Sequence, residues 1–167
     1  LLIAASVAFA NLAYAAPSSL LAASNPFAKE STLSLHYPAF DKIKNEHYAP
    51  AFAEGMRQHA AEIEAIANNK AAPTFENTIA AMERAGRTLD RVGTIYGVYS
   101  STLNDEAVQA VEREMAPKLA AFSDQITQNP QLFERIARVY ETRETSGLTP
   151  EQQRLTWVYY TNFVRAG

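Results

Sequence analysis

Cysteine is absent from the 167 residues. That excludes disulfides, thiolate catalysis and thiolate metal sites, and it removes the lipid-bearing cysteine of a bacterial lipoprotein. Histidine is limited to His36, His47 and His59, and none belongs to an H-E-x-x-H run. A Gly-rich phosphate loop and a G-x-S-x-G turn are both missing. The 15 Lys and Arg are scattered singly against 18 acidic residues, for a net charge of -3. No basic stripe forms, so nucleic acid is excluded as an expected partner. Strand-type alternation is missing as well.

Long apolar runs are few, and the one at the start has a recognisable form. Leu1 to Ala16 carries no charge and closes on Ala13-Tyr14-Ala15, followed by Pro17. A small-x-small ending after an apolar stretch reads as the end of a secretory signal. Sixteen residues are short for a membrane span, so no stable membrane anchor is expected. The expectation is an exported protein, most readily of a bacterial periplasm. Residues 17–44 read as an extended segment pinned by Phe27, Leu33, Leu35, Tyr37 and Phe40.

From Asn45 onward the pattern is helical, and 45–167 reads as one domain with room for a core. Tyr48, Phe52, Met56, Ile63 and Ile66 mark a first helix. Asn45 is its expected cap and Pro50 lies in its first turn. Thr74 caps a second helix, with Glu76 in the first turn. Its stripe is Phe75, Ile79, Met82, Leu89, Val92, Tyr96, Tyr99 and Leu103. Gly86, Gly93 and Gly97 fall inside it, and Gly93-x-x-x-Gly97 predicts a close helix approach. A third helix starts at Asn104-Asp105, buries Val108, Val111, Met115, Leu119, Phe122 and Ile126, and should kink or split at Pro117. Asn129-Pro130 opens a fourth, which runs to about Gly147. Thr149-Pro-Glu-Gln152 is a capping box for a fifth, with Leu155, Val158, Tyr159 and Phe163 facing inward. The fold class is all-α, an array of long helices joined by short caps.

Candidate chemistry is sparse. His59 and Glu62 stand one helical turn apart, but Ile63 occupies the place a reversed zinc motif gives to its second His. An exposed polar pair is the expectation there, and Glu62 and Glu64 read as a solvated face. His36 and His47, beside Tyr37 and Tyr48, read as surface packing. Trp157, Tyr159, Tyr160 and Phe163 suit core packing or docking better than a peptide-contacting stripe. No catalytic, cofactor-binding or metal residue is assigned within the chain.

Several blocks in order carry a resemblance. They are Asn25-Pro-Phe27, Pro38-Ala-Phe-Asp-Lys-Ile43, Tyr48 through Met56 into Glu62–Ala67, and above all Ala72-Pro-Thr-Phe-Glu-Asn-Thr-Ile79. Pro117-Lys-Leu119, Leu132-Phe-Glu-Arg135 and Phe163-Val-Arg-Ala-Gly167 follow. Together they resemble the N-terminal helical region of the thimet oligopeptidase-like zinc metallopeptidases, most closely the peptidyl-dipeptidase type, which removes dipeptides from peptide C-termini. The resemblance implies a mostly helical two-lobed enzyme whose N-terminal helices wall a deep channel admitting short peptides. It implies a zinc held by two His of an H-E-x-x-H helix and a further Glu, with the motif's Glu activating water. Those ligands would lie outside this chain, in a C-terminal catalytic region that is also the expected partner of these helices. The fragment itself is then expected to be inactive, and marginally stable or self-associating. A second reading is a non-enzymatic helical module that binds peptide or protein.

Overall fold

The computed structural model describes residues 20–103 and 105–167. The signal-like reading of residues 1–16 and the Asn104 half of the third helix start lie outside the described residues. Among those described there is no strand, and the fold is all-α. Six helices follow in order: α1 Tyr48–Ala67, α2 Ala80–Arg84, α3 Arg87–Thr102, α4 Glu106–Thr127, α5 Pro130–Thr142 and α6 Pro150–Ala166.

Helix α1 is the spine. Its 20 residues span about 30 Å, long enough to serve two separate cores. Its first half gives Tyr48, Ala51 and Phe52 to one cluster with Phe27, Ile43, Val92, Ile95, Val111 and Met115. Its last turns give Ile63, Ile66 and Ala67 to a second, with Ile79, Met82, Leu132, Ile136, Val139 and Phe163. Pro50 sits in the first turn, where no helical N–H is lost. Asn45 is not the cap. It lies inside a single 3₁₀ turn, Asn45–His47, and His47 Nδ1 accepts the Lys44 N–H at 3.1 Å.

The later caps form as their residues dictate. Asp105 accepts from the Val108 N–H at 2.9 Å, and Asn129 accepts from Leu132 at 3.0 Å. Thr149 and Gln152 exchange both bonds of the box, at 3.2 and 3.0 Å. Pro117 neither splits nor ends α4, which is continuous from Glu106 to Thr127. Pro117 and Arg113 are exposed, so the carbonyl deprived of its helical partner faces water.

The expected helix from Thr74 to Leu103 is two. The chain turns sharply at Ala85 and Gly86, and Gly86 adopts a left-handed φ of 77°. Glycine is required there twice over, because a Cβ would also meet His59 Nδ1 at 2.7 Å. Gly93 and Gly97 have open space where a Cβ would stand, so they make no close helix approach. The close approach is at Gly55, whose Cβ would lie 2.9 Å from the Leu89 Cα where α1 meets α3. Leu103 is exposed rather than part of the stripe, and Ile95, outside the expected stripe, is buried.

Residues 20–44 are not simply extended. They run through short 3₁₀ turns at Pro26–Ala28, Ser34–His36 and Phe40–Lys42. Phe27 is fully integrated into the first core, and Phe40 packs on it. Leu33, Leu35 and Tyr37 do not pin the segment, because all three are exposed.

Candidate functional site

The block from Ala72 to Ile79 folds as a loop entering a single wide π turn, Phe75–Ile79, which runs into α2. Thr74 and Asn77 supply the start chemistry. Asn77 Oδ1 accepts the Thr74 N–H at 2.9 Å, and Thr74 Oγ1 accepts the Asn77 N–H at 3.2 Å. Asn77 also donates through Nδ2 to the Ala72 carbonyl at 2.9 Å. Glu76 faces outward and pairs with Arg84 at 2.8 Å.

Arg135 of α5 reaches under this loop. Its Nη1 donates to the carbonyls of Asn69 (2.7 Å) and Ala71 (3.1 Å), and its Nη2 donates to Asn77 Oδ1 (2.9 Å). A longer contact of 3.4 Å goes to Thr78 Oγ1. The residue is 6% exposed, and among the described residues no carboxylate forms an ion pair with it. Burial lowers its pKa from the ordinary guanidinium value, yet an arginine keeps its charge. One cation therefore staples the end of α1, the loop and the π turn onto α5. A guanidinium suits this, since its several N–H donors can serve several acceptors at once. Sequence reasoning did not single out Arg135 or Asn77. The available signal was Asn77 three residues after Thr74, which completes a box with Asn in the position usually held by Glu or Gln.

Glu54 is a second buried charge that the sequence reading missed. It is 5% exposed. Arg57 donates to both its oxygens at 2.8 Å, Gln58 donates at 2.7 Å, and the Leu20 N–H at 3.1 Å. These bonds, Arg57's first, hold its carboxyl down to about 2 against the cost of burial. The group ties the start of the described chain to α1.

The His59 and Glu62 pair is not an exposed polar pair. His59 packs edge-on against Phe122 with ring centres 5.5 Å apart, and its buried Nδ1 has no hydrogen-bond partner. Glu62 Oε2 accepts the Gly86 N–H at 2.7 Å, placing a carboxylate at the start of α3. Burial lowers the His59 pKa, opposed by Glu62 and Asp90. Glu64 alone is on an exposed face. His36 Nδ1 bonds the Ser31 carbonyl at 2.9 Å, and His47 caps its turn as above. The three imidazoles are thus each engaged in separate places. Among the described residues no group of three or more His, Asp or Glu stands where it could hold a metal. The donor set present does not fit a zinc site.

The aromatic residues of α6 divide. Phe163 is buried and stacks on Phe133. Tyr160 lies flat on Tyr140 with centres 4.0 Å apart, and Arg143 covers the other ring. Tyr159 donates to Glu83 at 2.5 Å. Trp157 is 37% exposed beneath the Arg154 guanidinium. Packing accounts for all but the tryptophan.

No protein-family model matches the chain. Two curated proteins do, each 41% identical over 143 residues. Both carry the name dipeptidyl carboxypeptidase, one from Escherichia coli (strain K12) and one from Salmonella typhimurium (strain LT2). The chain is a relative of dipeptidyl carboxypeptidase. The match takes in 86% of this chain, so most of its helices fall inside it, but the chain spans only 21% of the length of either dipeptidyl carboxypeptidase.

Proposed function

We propose that this chain is the N-terminal helical region of an exported zinc metallopeptidase that removes dipeptides from the C-termini of short peptides. The single observation that carries the reading is the 41% identity to dipeptidyl carboxypeptidases over 86% of the chain. In this reading the helices wall the substrate channel and exclude folded proteins. The metal ligands belong to other parts of the polypeptide, since the donors described here do not assemble a site. The chain by itself is then without peptidase activity.

Packing agrees with a scaffolding role. The buried charges Arg135 and Glu54 are used in holding loops, Arg135 through its two Nη groups and Glu54 through both carboxylate oxygens. Reading the coding sequence past the Gly167 codon tests the proposal. An H-E-x-x-H segment in the same frame is the expected result. A frame that ends without one overturns it and leaves the helical binding module as the surviving account.

A further inference from the structure

Leu33, Leu35 and Tyr37 form a raised apolar tip. They are 49%, 96% and 63% exposed. Isolated exposed leucines are ordinary, but three large apolar residues within five positions are not. The backbone beneath them is unusual too. Leu35 and His36 have φ of 54° and 55°, and they are the only non-glycine residues with positive φ among those described. Side chains disfavour that conformation, and it persists only where neighbours enforce it. Ser31 is the enforcer. Its Oγ accepts the Leu33 N–H at 3.3 Å and donates to the Tyr37 carbonyl at 2.6 Å, and its carbonyl bonds His36 Nδ1. One edge of the Tyr37 ring meets Phe40 with centres 5.8 Å apart, and Phe40 packs on the first core, so the tip is seated at one side while Leu35 is its most exposed point. An open cavity of about 680 Å³ lies between the tip and α3, bounded by Phe27, Ile43, Arg91 and Ile95 on the domain side.

We infer that this tip is an anchor for polypeptide of the same protein beyond Gly167. The inference rests on the proposed reading, in which these helices are one region of a longer chain. The relatives are about five times the matched length, so most of such a chain lies outside what is described. Area decides against a second copy as the occupant. Even at an aromatic side chain's roughly 200 Å² each, the exposed fractions of the three leave only about 400 Å². A stable interface between separate molecules uses about 800 Å² per partner. A contact within one polypeptide needs no such area, because tethering removes most of the association cost.

The test is site-specific photo-crosslinking in the intact protein carrying Leu35→p-benzoylphenylalanine, with products mapped by mass spectrometry. The expected product is an intramolecular crosslink to residues beyond 167, in yield well above that of a probe at exposed Glu144. Should that variant fail to fold, Tyr37→p-benzoylphenylalanine exchanges one aromatic for another at the same tip. Crosslinks to a second copy, crosslinks to residues 1–19, or no crosslink above the control each overturn the anchor. The proposed function fails separately. A downstream crosslink in a frame lacking H-E-x-x-H keeps the anchor and loses the peptidase. An H-E-x-x-H frame with a silent tip does the reverse.

Discussion

Replacing Arg135 with methionine removes the staple under the Ala72–Ile79 loop while keeping a side chain of similar length. Three bonds of 3.1 Å or less are lost, to Asn69, Ala71 and Asn77. A hydrogen bond from a charged donor contributes about 1.5–3 kcal/mol when its acceptor is left unpaired. Asn69 and Ala71 are exposed, so water takes over their carbonyls at little cost. Asn77 Oδ1 keeps the Thr74 N–H and the Thr78 hydroxyl. Relief of guanidinium desolvation offsets part of the remainder. The net expectation is a loss of roughly 2–3 kcal/mol, or about 4–12 °C in melting temperature for a domain of this size. Urea titration and calorimetry of the 167-residue chain read the total. Hydrogen exchange reads its location, with the Asn77 and Ala80 amides exchanging faster and those of α4 unchanged. Arg135→Lys should recover less than half, because a point charge cannot serve the fork. A change within about 0.5 kcal/mol for Arg135→Met, the size of an ordinary surface substitution, refutes the reasoning.

Three further outcomes follow from the same geometry. The Glu54 carboxyl sits at about 2 against its ordinary 4.5. A depressed acid stabilises the fold above the higher value, and that contribution is lost as pH falls from about 4.5 to about 2. It amounts to roughly 3 kcal/mol, and urea midpoints should show an acid loss over that window that Glu54→Gln lacks. His59 has the opposite chemistry, since its lowered pKa means the folded state resists protonation. Its stabilisation is complete above about 6.5 and declines as pH falls below that, so melting temperatures between pH 7.5 and 5 should drop less in His59→Leu than in the unsubstituted chain. The glycines should split in sign by calorimetry. Gly86→Ala, at a left-handed φ and against the His59 ring, should destabilise by about 2 kcal/mol. Gly93→Ala, in open space inside α3, should stabilise by about 1 kcal/mol.

Helix existence was legible because capping and periodicity are local. Asn129-Pro130 and Thr149-Pro-Glu-Gln152 each state a start within four residues, and the structure makes those bonds. The break at Gly86 was not legible, because Gly86, Gly93 and Gly97 look alike in sequence. Only the His59 ring and the Glu62 carboxylate, 24 or more positions away, distinguish the first from the others. Pro117 does not split α4 for a similar reason, since the cost of a helical proline depends on whether the freed carbonyl meets water. Arg135 and Glu54 were hidden because arginine and glutamate normally face solvent. Their partners lie as far as 66 and 34 residues away, and no short motif records such a distance. The three apolar residues of the tip were taken for anchors on their own domain, and their hydrophobicity was right while its direction was not.

Dipeptide release by the product of the complete reading frame tests the central claim. An N-blocked tetrapeptide is incubated with the purified intact protein, with and without a chelator, beside the 167-residue chain alone. The account predicts free C-terminal dipeptide from the intact protein, none once chelator is present, and none from the chain alone. Cleavage by the pure 167-residue chain, or an intact protein that leaves the peptide whole, contradicts it.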